Sequence, residues 1–94
     1  MSVAIHKYIL DRGYRISIPI GAELLSVQIQ NNKLVAWALV DTDVEIMEYK
    51  TFRVVTTGLE ISSNSLDDYE FFTTVQTHNG LVFHVFKPMQ VEHL

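Results

Sequence analysis

The sequence predicts a mainly β protein: a single small antiparallel β-sandwich or barrel of about seven to eight short strands. Several segments alternate apolar and polar side chains with a two-residue period, and turn-forming residues separate them. No window of ten residues keeps the 3.6-residue apolar repeat of an amphipathic helix. Ninety-four residues, 48% of them apolar, suffice for one core, so residues 1–94 are predicted to form one domain. Periodicity does not encode strand order, so sandwich and barrel both remain open.

The clearest hairpin lies in the first half of the chain. Leu25, Val27 and Ile29 alternate with polar residues, which is typical of a strand with one covered face. The pair Asn31-Asn32 follows, and asparagine tolerates the positive φ angles of a two-residue hairpin turn. Residues 33–40 return with apolar side chains on both faces, which predicts a central strand that is covered on both sides.

A second hairpin is predicted near the C-terminus. Residues 69–76 alternate and are rich in aromatic and β-branched side chains, which favour strands. Asn79-Gly80 is a strong hairpin signal, and residues 81–87 return from it to Pro88.

Four further strands are predicted with less regular patterns. Residues 5–10 and 14–18 should pair around a turn at residues 11–13. Because Pro19 lacks a ladder donor, residues 18–20 should end the second strand or lie on an edge. Residues 44–47 and 51–57 should form two more strands, with breaks near residues 41–43 and 49–50.

Composition narrows the function classes. The absence of cysteine excludes disulfides and thiolate chemistry and fits a reducing compartment. No signal-peptide pattern and no apolar run of membrane-spanning length is present, so we expect a soluble, cytoplasmic protein. The net charge is −4 and the seven basic residues are scattered, which disfavours nucleic-acid binding.

No motif for catalysis or metal binding is found. The four histidines, at positions 6, 78, 84 and 93, lack the short spacings of metal ligands. The acidic run that begins at Asp41 has neither the glycine nor the twelfth-position carboxylate of a calcium loop; if extended, it would form a solvated edge. Hydrolase, phosphate-loop and dinucleotide signatures are absent. We therefore predict no catalytic residue, metal site or cofactor.

His84 interrupts the apolar run of the last strand. Alternation places it with Val82 and Phe86, whereas Phe83 and Val85 occupy the opposite, wholly apolar face. The simpler interpretation is that His84 completes a partly covered outer face. The alternative is a ligand-binding or acid–base role, which rests on the near-neutral pKa typical of histidine.

Residues 57–68 form the longest segment without strand character. Loops of this length in small domains are often functional, although a mobile surface excursion is the alternative. We predict a partner-binding loop whose candidate residues are Gly58, Leu59, Ser63, Asn64, Asp67 and Asp68.

The segments IHKYIL, IPIGAELLSVQIQNNKLVAWALVD, TFRVVTTGLEI and GLVFHVF resemble a family of short uncharacterised proteins found mainly in phages and prophages. The resemblance covers nearly the whole chain. The family pattern has proline where this chain has Thr42, and Gly-Thr-Gly-His where it has Thr56-Thr57-Gly58-Leu59, so any role of that histidine cannot be filled by Leu59.

This resemblance implies a phage or prophage context in a host cell, without an assigned activity or functional residues. We expect a non-enzymatic accessory protein that binds a host protein or a host small molecule, with the 57–68 loop and nearby aromatic residues as the binding surface. The alternatives are a virion or self-assembling structural component, for which the chain would be a homo-oligomer, and a small nucleotide-binding protein or enzyme that uses His84 or His6.

Overall fold

The computed structural model describes residues 2–10 and 12–89 and is mainly β, as predicted. Within these described residues, eight strands and one short 3₁₀ turn, Arg12–Tyr14, follow each other. The strands are β1 (Val3–Ile9), β2 (Arg15–Pro19), β3 (Glu23–Gln30), β4 (Lys33–Asp41), β5 (Met47–Thr51), β6 (Arg53–Thr56), β7 (Tyr69–Gln76) and β8 (Val82–Pro88). No helix in this part of the chain has the length and apolar character needed to cross a membrane.

The strands form three antiparallel sheets. Sheet I has the order β1-β4-β3, the ribbon consists of β2 and β5, and sheet II has the order β6-β8-β7. Within the described residues no ladder joins these sheets, so the strands do not close into one continuous hydrogen-bonded barrel.

All three sheets contribute to one core. The alternation of each strand directs its apolar residues inward, and full burial of a valine, isoleucine or phenylalanine side chain contributes about 1.5–3 kcal/mol. The buried residues of this core are Leu10, Ile16, Ile18, Val27, Ala36, Ala38, Val40, Phe52, Val75 and Val85.

Both predicted hairpins are confirmed. Asn31 and Asn32 have φ angles of 52° and 63°, the two positive values that a primed two-residue turn requires. In the second hairpin, the Gly80 N–H donates to the Thr77 carbonyl (3.1 Å) and the Thr77 N–H donates to the Leu81 carbonyl (2.9 Å). Gly80 has a φ of 91°, so this is a three-residue loop with glycine in the left-handed position.

The predicted alternation of β3 is wrong at its start. A bulge shifts the register between Leu24 and Ser26, so Leu24 packs against the core and Leu25 is exposed. Val27 and Ile29 face the core as predicted. A bulge adds one residue to one strand, which moves every earlier side chain to the other face.

The position of β4 at the centre of sheet I is confirmed, but its second face is only partly covered. Ala36, Ala38 and Val40 are buried against the core. On the opposite face, Val35 is buried, whereas Trp37 and Leu39 are half-buried. The outer face of sheet I therefore presents apolar side chains to solvent.

The predicted pairing of the first two strands is wrong. β1 pairs with β4, and β2 pairs with β5. Gly13 and Tyr14 both have positive φ angles, 70° and 55°, which direct the chain away from sheet I before β2 begins. Asp11, within the predicted turn, lies outside the described residues. As predicted, β2 ends at Pro19.

The strand predicted at residues 44–47 is shifted to β5, whereas β6 lies within the predicted residues 51–57 and is shorter. The predicted break near residues 41–43 is confirmed as a turn that interrupts the acidic run: the Asp43 N–H donates to Asp41 Oδ1 (2.9 Å) and the Val44 N–H to the Asp41 carbonyl (3.2 Å). Residues 49–50 lie within β5, where they pair with β2. The break falls at Phe52, whose side chain enters the core.

Candidate functional site

Four side chains form a cluster on the outer face of sheet II, which we call the aromatic surface: the exposed Arg53 and Phe71 and the half-buried Tyr69 and Phe86. Phe86 lies between Arg53 and Phe71 in the register of the three strands. The Phe71 and Phe86 rings meet edge to face, with centroids 5.7 Å apart. The Arg53 guanidinium carbon lies 5.2 Å from the Tyr69 ring centroid, and Phe71 is 57% exposed.

His84 lies on the same face, between two threonines from flanking segments. Its Nε2 is 2.6 Å from Thr57 Oγ1, and its Nδ1 is 3.0 Å from Thr74 Oγ1. A neutral imidazole donates from one nitrogen and accepts at the other, so one threonine hydroxyl accepts and the other donates. The half-buried ring thus links β8 to β7 and to the end of β6.

This arrangement explains His84 structurally. In hydrolytic triads a carboxylate orients the histidine, whereas here a hydroxyl occupies each side of the ring. The two cavities described below do not include His84. His84 lies on the same face of β8 as Phe86, as the alternation predicts. The sequence alone does not indicate its threonine partners.

We expect His84→Phe to lower the free energy of unfolding by about 0.5–1.5 kcal/mol, because a phenyl ring fills the same place without either hydrogen bond. Urea denaturation would measure this loss. A double-mutant cycle with Thr74→Val should show coupling between the two positions. Full additivity of the two substitutions would contradict the hydrogen bond.

The other histidines do not converge on His84. His6 is exposed on β1, with its ring centroid 6.4 Å from that of Tyr8, whose pKa is raised by burial. His78 is exposed in the second hairpin, and His93 lies outside the described residues. Among the described side chains, no three of the types that bind metals come together.

Hydrogen-bonded turns lie at both ends of the 57–68 loop, at residues 57–58 and 63–68. Gly58 has a φ of 85°, and the Leu59 N–H donates to the Thr56 carbonyl at 3.1 Å. Asn64 Oδ1 accepts from Ser62 Oγ at 2.7 Å, and the Asp67 N–H donates to the Asn64 carbonyl at 3.3 Å. The Asp68 carbonyl accepts from the Met89 N–H, which fixes the end of the loop beside β8. The predicted loop residues are all exposed, Ser63 included.

The loop connects opposite ends of sheet II. β6 ends at Thr56 beside Phe83, whereas β7 begins at Tyr69 beside Pro88. The chain must therefore travel the length of β8, about 20 Å at the rise of a strand.

Two cavities lie elsewhere. The larger, about 390 Å³, is lined by Lys50 and Lys87 together with Glu23 and Glu70, a charge-balanced set. The smaller, about 270 Å³, has a mixed lining in which Phe83 and Tyr14 stand beside the polar residues Asn32, Lys33 and Thr77. Neither cavity contains a residue of the predicted loop.

The fold and surface define a small all-β domain with an exposed arginine-aromatic surface beside an internally hydrogen-bonded loop. Residues 1–93 match the model of the DUF7352 family, a domain of unknown function, and the chain belongs to that family. No curated protein and no solved structure shows significant similarity to it.

Proposed function

We propose that this protein is a non-enzymatic phage or prophage accessory protein that binds a host protein through the aromatic surface and the 57–68 loop. The observation that carries this proposal is the cluster of Arg53 with Tyr69, Phe71 and Phe86 on the outer face of sheet II, in which Arg53 and Phe71 are exposed. Arginine and aromatic residues are enriched at protein interfaces and dominate their energetic hot spots. A rigid sheet holds these side chains in place, so little conformational entropy is lost on binding.

The loop extends the same surface. Thr57 at its start contacts His84, and Asp68 at its end precedes Tyr69, so both ends lie next to the aromatic surface. Leu59 and Ile61 are exposed, at 63% and 43%, and supply apolar contact area. Solvent-exposed apolar side chains beside aromatic ones are typical of association surfaces.

Charge indicates the kind of partner. Within residues 57–68 the charged side chains are Glu60, Asp67 and Asp68, all acidic. Electrostatic complementarity favours a partner segment with basic residues, which would also be attracted by the net charge of −4. We therefore propose a host protein that presents an apolar anchor flanked by lysine or arginine.

The test is affinity capture from host-cell lysate, followed by measurement of Kd for the captured protein. We expect Arg53→Ala combined with Phe71→Ala to weaken binding at least about 30-fold, the effect of losing about 2 kcal/mol at a hot spot. Leu59→Ser combined with Ile61→Ser should weaken it less, since these residues lie beside the cluster.

A matched control exists on the ribbon. Arg15 lies 4.3 Å from the ring of Tyr49, which is also exposed, so Arg15→Ala with Tyr49→Ala removes the same chemistry at another place. This control variant should bind like the wild type. Equal binding by the Arg53/Phe71 variant and the wild type would refute the proposed surface.

A further inference from the structure

Among the described residues, β1 pairs with β4 alone and is therefore an open edge of sheet I, with four residues whose backbone groups point outward. The Leu10 N–H donates to the Leu34 carbonyl, and the Thr42 N–H donates to the Ser2 carbonyl, each at 2.9 Å. In an antiparallel ladder, hydrogen-bonded and non-hydrogen-bonded residue pairs alternate. The backbone N–H and C=O groups of the even-numbered residues of β1 therefore bond to β4. The N–H and C=O groups of the odd-numbered residues therefore point away from β4, the strand with which β1 pairs.

The same odd-numbered residues carry exposed apolar side chains. Val3, Ile5 and Ile9 are 60%, 61% and 46% exposed. The remaining one, Lys7, extends over β4, and its Nζ donates to Gln30 Oε1 at 2.9 Å. Proteins normally protect open edges with proline, bulges or outward charges. β1 is a regular seven-residue strand without proline or bulge, and its one lysine is held over the sheet.

We propose that β1 pairs with β1 of a second copy of this chain, forming a two-fold dimer with one continuous six-stranded sheet. A two-fold axis beside His6 would place Val3 opposite the partner's Ile9 and Ile5 opposite the partner's Lys7. The backbone groups of all four outward-facing residues of each copy are then paired, with roughly eight hydrogen bonds between the chains.

This register follows from the charge and length of the strand. Shifting the axis to Lys7 would oppose two ammonium groups, which is destabilising. Shifting it to Ile5 would pair only Val3, Ile5 and Lys7 within the two β1 strands and would reduce the hydrogen bonds between the chains to roughly six. The register centred on His6 pairs Val3 with Ile9 and Ile5 with Lys7 on the outer face, so no two lysines oppose each other. The edge is thus complementary to itself, as a two-fold interface requires. This site is separate from the aromatic surface on sheet II and does not depend on the proposed function.

Disulfide trapping tests the axis directly, because the chain contains no cysteine. With the axis at His6, the two copies of residue 6 form a non-hydrogen-bonded pair with Cα atoms about 4.5 Å apart, within the range of a disulfide. We expect His6→Cys to form a covalent dimer at least about tenfold faster than Val3→Cys, which lies opposite Ile9 of the partner subunit. Equal rates for the two variants would overturn the register.

Charge substitution at Ile5 tests the pairing in solution. Sedimentation from about 10 to 500 µM should show a monomer–dimer equilibrium for the wild type. Ile5→Lys should weaken it at least about tenfold, because the new lysine opposes the partner's Lys7, whereas Ile5→Glu should dimerise as well as the wild type or better. Leu25→Lys, on β3, should have little effect.

Two results would overturn the proposal: a wild-type monomer throughout this concentration range, or equal weakening by both Ile5 variants. Circular dichroism establishes that each variant is folded. If an Ile5 variant does not fold, the trapping rate of His6→Cys decides the question.

Discussion

Replacing Phe52 with alanine is expected to lower the free energy of unfolding by about 3–5 kcal/mol, the range for truncating a buried phenylalanine. Phe52 is 1% exposed and stands between β5 and β6, so its side chain is the point at which the ribbon meets the core shared with sheet II. Its N–H also donates to the Tyr14 carbonyl at 2.9 Å. The substitution keeps this backbone bond and leaves a cavity that a rigid sheet structure cannot fill.

Thermal and urea denaturation would measure the effect, which corresponds to a lowering of Tm by more than about 10 °C in a domain of this size. Phe71→Ala is the matched control, since Phe71 is largely exposed. It should change the free energy of unfolding by less than about 1 kcal/mol while it weakens partner binding. A loss below about 1.5 kcal/mol for Phe52→Ala would contradict its place in the core.

The strands and hairpins could be predicted because their signals are local. Asn31-Asn32 and Asn79-Gly80 specify their turns by backbone preference alone, and the strands next to them follow the two-residue alternation. Even the inward face of β8, with Phe83 and Val85, follows from alternation. These features depend on neighbours in sequence and not on neighbours in space.

The errors arose where the structure depends on non-local pairing. The adjacent residues Leu24 and Leu25 are chemically identical, so the pattern cannot show which one a bulge turns toward the core. Likewise, the local pattern is compatible with a hairpin of the first two strands, but β1 and β2 each pair with a strand far along the chain. Such pairings are decided by burial of the whole core, which periodicity does not encode.

The same distinction between local and non-local signals applies to the candidate site. The exposed loop could be predicted from its composition, but the aromatic surface required the register of sheet II, because Arg53 and Phe71 become neighbours only when β8 lies between them. A sequence signal exists for part of it: Tyr69 and Phe71 share a face by alternation. Arg53 carries no such signal.

Val85→Asp should produce the other large loss of stability, more than about 4 kcal/mol at pH 7, which approaches the whole stability of a typical small domain. Val85 is fully buried at the centre of sheet II, between Val54 and Thr73. In the core of the described structure no polar or charged side chain is buried that could pair with a carboxylate. The aspartate must therefore ionise without compensation or stay protonated in the folded state.

Because the carboxyl can be ionised or protonated in the folded state, the loss of stability depends on pH in a defined direction. Burial raises the folded-state pKa of the introduced carboxyl above its unfolded value of about 3.9, so the destabilisation grows as the pH rises from about 4 through the folded-state pKa. Below pH 4 both states are protonated, and only the penalty of a buried neutral group remains, about 1–3 kcal/mol. Val85→Asn has similar shape and no titration, so its difference from wild type should stay constant with pH. Urea denaturation of the wild type and of both variants between pH 3.5 and 7 would measure these differences. If the free energies of unfolding of the aspartate and asparagine variants changed in parallel with pH, position 85 would be open to water.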